Sequence, residues 1–273
     1  MKTTNYLDEI IKRKKEEVKQ LVELTKSNPN HVLNKILDQN RAPSTKFARA
    51  LRGSTLAVIG EIKRSSPSAG VIQEIADPVE LALEYCRGGV STISVLTDKE
   101  GFGGSLDDLC QISLELGKEY SHIPILRKDF ILHPLQLAEA VYAGASAVLL
   151  IVGVLGNDLK TFVDEATQLG LETLTEVHSL EELELALKAN CPIIGVNHRN
   201  LKNFTIDLTL SETLAPIIPA YVISVAESGI QEPSQARKMD ALGYDAVLVG
   251  QALVRSKNPS LLIAQMKGEP NES

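Results

Sequence analysis

The chain reads as an α/β protein, a (β/α)8 barrel carrying an N-terminal helical extension over residues 1–52, the whole making one domain of 273 residues. Three observations lead there. Eight apolar runs recur from residue 56 onward and alternate with amphipathic or polar-capped segments, the pattern of a parallel sheet whose crossovers are helices. Three joins repeat one signature of a helix-ending glycine, a short link and a buried run: Gly88-Gly89-Val90-Ser91-Thr92-Ile93, Gly144-Ala145-Ser146-Ala147-Val148 and Gly243-Tyr244-Asp245-Ala246-Val247. Polar and charged residues gather at the ends of seven of the eight runs, where a closed barrel carries its chemistry. An open doubly wound sheet is the competing arrangement, but no GxGxxG follows the first run and no Walker loop occurs.

In order, residues 4–26 carry Leu7, Ile10, Ile11, Val18, Leu21, Val22 and Leu24 among many Lys and Glu, helical spacing with a charged outer face. Ser27-Asn28-Pro29-Asn30 stops that helix, residues 31–38 make a second, and residues 47–52 follow a loop. These elements are expected to cap the main domain. The predicted strands are 56–62, 91–96, 123–126, 147–152, 172–177, 193–196, 221–225 and 246–249. Asp77-Pro78 opens the first barrel helix with an N-cap and a first-turn proline. Ser105, His133-Pro134, Asn157-Asp158, Ser179, Asp207, Glu232 and Asn258-Pro259 open the next seven.

Composition bounds the function. Hydrophobic residues make up 44% and aromatics only 4% with no Trp, so the core must be Leu, Ile, Val and Ala. The net charge of -7 argues against a nucleic-acid or anionic-membrane partner, and an anionic ligand must be held by local cations and backbone dipoles. Cys86, Cys110 and Cys191 form no CxxC pair, which reads as reduced thiols of a cytoplasmic protein, not a disulfide frame or zinc site. Residues 1–9 lack the apolar stretch of a signal peptide, and the longest apolar run, 147–155, falls well short of the roughly 20 residues of a membrane span.

The first strand ends in Glu61-Ile62-Lys63-Arg64-Ser65-Ser66-Pro67-Ser68-Ala69-Gly70, an acid, a base and an anion-friendly loop. Alternation puts Glu61 and Lys63 on one face with Ile59. The other strands end in Thr97-Asp98, Arg127-Lys128-Asp129-Phe130, Glu176-Val177-His178, Asn197-His198-Arg199-Asn200, Glu227-Ser228-Gly229 and Gly250-Gln251. Only strand four stays apolar, a hydrophobic wall for a ring or alkyl group. Singly, each charge has an ordinary explanation as a solvated or paired group. Arg127 and Asp129 can pair outside the barrel, and His178 and His198 read as loop residues, with no third ligand at metal spacing. Jointly, Glu61, Lys63, Lys128, Glu176, Asn197 and Glu227 converge on one rim, where three carboxylates and two ammoniums are costly without a role. Ser228-Gly229 and Gly250-Gln251, with Ser66 adjacent because strand one neighbours strand eight, form a second constellation suited to a phosphate.

These motifs resemble the indole-3-glycerol-phosphate synthase family of tryptophan biosynthesis, over nearly the whole chain. The matching stretches are Glu61-Ile62-Lys63-Arg64-Ser65-Ser66-Pro67-Ser68, Ile93-Ser94-Val95-Leu96-Thr97-Asp98, Phe102 with Gly104-Ser105, Leu126-Arg127-Lys128-Asp129-Phe130, Glu176-Val177-His178, Gly195-Val196-Asn197 with Arg199 and Leu201, and Glu227-Ser228-Gly229-Ile230. The resemblance implies a TIM barrel that acts as a carboxy-lyase without cofactor or metal. It implies closure of 1-(2-carboxyphenylamino)-1-deoxyribulose 5-phosphate to indole-3-glycerol phosphate with loss of carbon dioxide and water. It implies Lys128 as the acid for the developing alkoxide and Glu176 as the base, while leaving open which of Lys63 and Lys128 serves which step. Glu61 would orient a lysine, Lys63 contact the substrate carboxylate, and Asn197 and Glu227 meet substrate hydroxyls or the ring nitrogen. Arg199 would add an anion contact. Ser66, Gly229, Gly250 and Gln251 would bind phosphate, Phe102 and Leu149 would pack the anthranilate ring, and Phe130, Ser228 and Leu248 complete the substrate-binding set. A monomer is expected, with association with other tryptophan-pathway enzymes left open. The chain departs from the family at Gly60, where Ala is usual, at Ser146, where Asp is frequent, and at His198 and Asn200, where Asn and Asp are common; the last two put that loop's hydrogen bonding in doubt. Two other readings compete, a phosphoribosyl isomerase or similar phosphate-binding barrel and a non-catalytic barrel subunit. The lysine pair tells against the first and the complete set of rim groups against the second.

Overall fold

The computed structural model describes residues 6–67 and 70–268. The start of the first predicted helix at 4 and 5, the signal-peptide reading of residues 1–5, and Ser68 and Ala69 of the first loop lie outside the described residues. Eight parallel strands close into a barrel in chain order: β1 (Ala57–Ile62), β2 (Thr92–Leu96), β3 (Ile125–Lys128), β4 (Ala147–Ile151), β5 (Glu172–Val177), β6 (Ile193–Asn197), β7 (Ile223–Glu227) and β8 (Ala246–Val249), with β1 pairing both β2 and β8. Nearly every strand residue is buried, because helices cover the outer face and side chains fill the inner one. Alternation divides the core accordingly. Ala57, Ile59, Leu126, Leu149, Leu174 and Leu248 pack inside the barrel, while Val58, Ile62, Val148, Leu150 and Val247 face the helices.

Strand bounds differ from hydropathy where charged residues sit in the ladder. β3 runs on through Arg127 and Lys128, whose backbones stay in register with Val95 and Leu96. β7 begins two residues later than predicted and ends on Glu227, in register with Asn197, while Tyr221 stands exposed. Ladder pairing sets these ends, and the side chain has no vote in it. The rim loops also hold three short helices beyond the predicted eight, Lys99–Phe102, Val152–Leu155 and Gln251–Arg255. Val152, predicted as strand, starts the second of them.

The extension comprises α1 (Tyr6–Ser27), α2 (Val32–Leu37) and α3 (Lys46–Leu51). Phe47 and Leu51 of α3 are fully buried against the barrel interior, and the N–H groups of Phe47 and Ala48 donate to the Glu172 carboxylate at 2.6 and 2.9 Å, closing the base. α1 reaches the opposite end. There Lys14 Nζ lies 3.0 Å from Asp98 and 2.9 Å from Asp129, and the Tyr6 ring meets Phe204 at 4.9 Å. The three cysteines are free, and among the described residues no helix is long and apolar enough to cross a membrane.

Candidate active site

The inward-facing residues at the C-terminal strand ends form the floor of a cleft. Glu61 stands on β1, Lys128 on β3, Ile151 on β4, Glu176 on β5, Asn197 on β6 and Gly250 just past β8. Lys128 Nζ donates to Glu176 Oε2 at 2.9 Å and to Glu227 Oε2 at 3.1 Å, and Lys63 Nζ donates to Glu61 Oε1. The alternating charges are what allow them to be buried. Burial alone would lower the Lys128 pKa, but the carboxylates of Glu176, Glu227 and Glu61 outweigh it and hold the ammonium above the ordinary lysine range. Burial would raise Glu176, yet Lys128 and His178 hold it below the usual carboxylate range. Glu227 goes the other way: burial and the Glu176 charge raise it against the pull of Lys128. Two carboxylates on one lysine are thus pushed apart, one held ionised and one readier to carry a proton.

Two glycines make room for this cluster. A Cβ at Gly195 would overlap the Glu227 carboxylate, and one at Gly250 would overlap that of Glu61. Glu227 lies in the hollow above Gly195, 1% exposed, with Oε1 unpaired. It therefore does not line the cleft as the sequence suggests; it reaches the cleft through Lys128.

Around the floor the walls divide by chemistry. Phe102 and Phe130, with ring centroids 6.3 Å apart, join Leu149, Ile151 and Leu248 as the apolar side. Ser66, Ser228, Gly229, Gly250 and Gln251 line the polar side. Ser228 and Gly229 both have left-handed backbones, φ 67° and 78°, a tight turn whose cost a non-glycine residue bears only where the surroundings enforce it. Asn197 lines the cleft, and its Oδ1 accepts the Arg199 N–H at 3.0 Å, which occupies the acceptor end of the amide. Arg199 donates to the Phe204 carbonyl at 3.3 Å; burial lowers its pKa and the Glu61 charge opposes that. About 970 Å3 of empty space, part of it open solvent at the mouth, lies between these walls. Among the described residues no three His, Cys, Asp or Glu side chains group as metal ligands.

Phe204 and Ile206 line the cleft without being singled out by any sequence motif, beside Leu201 of the matching stretch. Leu201, Phe204 and Ile206 come from the loop after β6, which doubles back through the Arg199 and Ile206 pairing and an Asn200 N–H bond to the Thr205 carbonyl. Apolar residues in an otherwise polar loop were the available signal. The doubt over His198 is resolved by its contacts: Nδ1 lies 2.7 Å from the Ser228 carbonyl and Nε2 2.6 Å from Ser211 Oγ. A carbonyl accepts only, so Nδ1 carries hydrogen, and burial lowers the ring's pKa, keeping it neutral. Asn200 serves its own turn, its Oδ1 accepting the Lys202 N–H at 2.8 Å. Asp129 pairs with Arg127 at 3.1 Å as expected, and also with Lys14 from the extension.

Comparison with known proteins agrees with this geometry. The sequence model of the family described as indole-3-glycerol phosphate synthase matches residues 7–266. An indole-3-glycerol phosphate synthase of Opitutus terrae is 47% identical over 234 residues, 85% of this chain and 88% of that one. One of Caldanaerobacter subterraneus subsp. tengcongensis is 43% identical over 249 residues, 91% of this chain and 93% of that one. Among solved structures, a 3-hexulose-6-phosphate synthase superposes with a TM-score of 0.61 at 14% identity, covering 78% of this chain and 99% of that one, a likeness of fold alone. The match over nearly every described residue, together with relatives of this identity and length, means that the chain belongs to the indole-3-glycerol phosphate synthase family.

Proposed function

We propose that the cleft performs the family's ring closure, converting 1-(2-carboxyphenylamino)-1-deoxy-D-ribulose 5-phosphate to indole-3-glycerol phosphate, and that its residues divide the work by wall. The observation that carries this is Lys128 clamped between Glu176 and Glu227 beneath a cleft with one aromatic-lined and one hydroxyl- and amide-lined side. The substrate has matching ends. Its anthranilate ring suits Phe102, Phe130 and Leu149, and its phosphate suits Ser66, Ser228, Gly229, Gly250 and Gln251. Arg199 and Lys63 supply cations for its anionic groups.

In the first step the ring carbon bearing the carboxylate attacks the ketone carbon, and the carbonyl electrons move to oxygen. The Lys128 ammonium, held charged, donates to that oxygen as it becomes an alkoxide. Release of carbon dioxide returns its bonding pair to the ring and restores aromaticity. The new hydroxyl then leaves as water on receiving a proton, while a base takes the proton whose loss forms the pyrrole double bond. Glu176, ionised throughout the neutral range, suits that base. Glu61 aims Lys63 by accepting from its Nζ, and Asn197 offers its NH2 to substrate oxygen.

The test is direct. With no Trp in the chain, formation of an indole product is read by its fluorescence against a low background when purified protein meets the carboxyphenylamino-deoxyribulose phosphate. Turnover is expected, and its absence from correctly folded protein refutes the assignment.

A further inference from the structure

We infer that His178 is a positioning residue for Glu176: its ring, held between two carboxylates just outside the cleft, fixes one oxygen of Glu176 so that the other meets Lys128. Nε2 of His178 lies 3.2 Å from Glu176 Oε1, close enough for an ion pair though not aligned as a hydrogen bond. Lys128 holds the opposite oxygen, Oε2, at 2.9 Å. The carboxylate is therefore gripped at both ends, by Lys128 from β3 on one oxygen and by His178 just past its own strand on the other.

Local sequence explains why the ring stays there. Ser179 caps the helix Leu180–Lys188 by accepting the Glu182 N–H at 3.3 Å, the first half of a capping box. Glu182 Oε2 reaches back to the His178 N–H at 2.7 Å and to His178 Nδ1 at 3.2 Å. The start of one barrel helix thus locks both the backbone and the ring of the residue following β5. His178 is not on the cleft wall, and its side chain is only 15% exposed.

Charge follows from placement. Burial would lower the His178 pKa, but the carboxylates of Glu176 and Glu182 raise it to about 10, so the ring is an imidazolium at neutral pH. The groups facing Glu176 are then Lys128 from β3, Glu227 from β7, Glu61 from β1 beyond Lys128, and His178 itself. With His178 charged, Glu176 remains a free carboxylate to lower pH than Lys128 alone would allow.

The inference rests on Glu176 being the base, and the experiment separates the two. E176Q is measured first; near-native kcat there would refute the base assignment itself. In H178Q, kcat is expected to fall by up to about 100-fold, the cost of a misplaced catalytic group. KM should change little, and the acid limb of the kcat profile should move upward by about one pH unit or more. E182Q keeps the ring in place and should move the limb the same way by less. A side chain that merely supports the fold would change kcat without moving the limb. An acid limb unmoved in H178Q, or in E182Q should H178Q not fold, overturns the inference.

Discussion

Lys128 and Glu176 are 2.9 Å apart, and their environments drive them in opposite directions, one to a more secure ammonium and the other to a more secure carboxylate. Lys128→Ala or Glu176→Gln is therefore expected to lower kcat by about 100-fold or more, the scale of general acid–base effects. Steady-state rates by indole fluorescence check this, and near-native turnover in either variant removes that residue from the mechanism. His198 acts at a distance from the chemistry. Its Nδ1–H holds the Ser228 carbonyl and so the left-handed turn at Ser228 and Gly229. Loss of that bond in His198→Ala should raise KM for the phosphorylated substrate by about fivefold, since a hydrogen bond is worth about 1 kcal/mol. A fall in kcat alone, with KM unchanged, would mean the turn does not depend on it.

The extension is joined to the rim by buried charge. Lys14, 2% exposed, bridges Asp98 at the end of β2 and Asp129 beside Lys128. Burial would lower its pKa, but Asp129 and Asp98 raise it well above the ordinary range. Lys14→Met leaves both aspartates buried with fewer partners, although Arg13 and Arg127 remain. Breaking a buried pair costs about 3 kcal/mol or more, so with those partners retained the loss should approach about 3 kcal/mol. Urea unfolding measures it, and an unshifted midpoint would show that α1 contributes little through this bridge. The short helices in the rim loops have a related local cause. Asp98 accepts the Gly101 N–H at 2.9 Å and caps the turn that carries Phe102 to the cleft.

Across the molecule, pH links stability to these buried groups. His178 has an ordinary pKa of 6.5, raised to about 10 by folding against Glu176 and Glu182. A raised pKa stabilises the fold fully below the unfolded value and loses that contribution as pH rises through the folded value. The difference in unfolding free energy between wild type and H178Q should therefore shrink from about pH 6.5 to about pH 10. Denaturant titrations at several pH values test the sign, and a difference that grows over that range contradicts it. The net charge of -7 is no obstacle to an anionic substrate. Lys63, Lys128 and Arg199 set local positive charge among the cleft's carboxylates, and a local field of this kind does not follow the sign of the net charge.

Periodicity and end groups were enough to read the barrel and most of its rim. Two-residue alternation dictates which side chains of a parallel strand face inward, so Glu61, Lys128, Glu176 and Asn197 had to share the mouth once eight strands closed. Closure also brings Ser66 and Gly250 to the same cleft, because it makes β1 and β8 neighbours. Other features do not follow from any local pattern. The depth of Glu227 depends on a missing side chain at Gly195, one strand away and 32 positions earlier in the chain. Phe204 and Ile206 reach the cleft only because their loop doubles back, and Lys128 is held charged by carboxylates 48 and 99 positions further along the chain. Strand parity is encoded residue by residue. Loop paths, clefts above glycines and the protonation of buried groups come from contacts between segments distant in sequence, and those exist only once the barrel has closed.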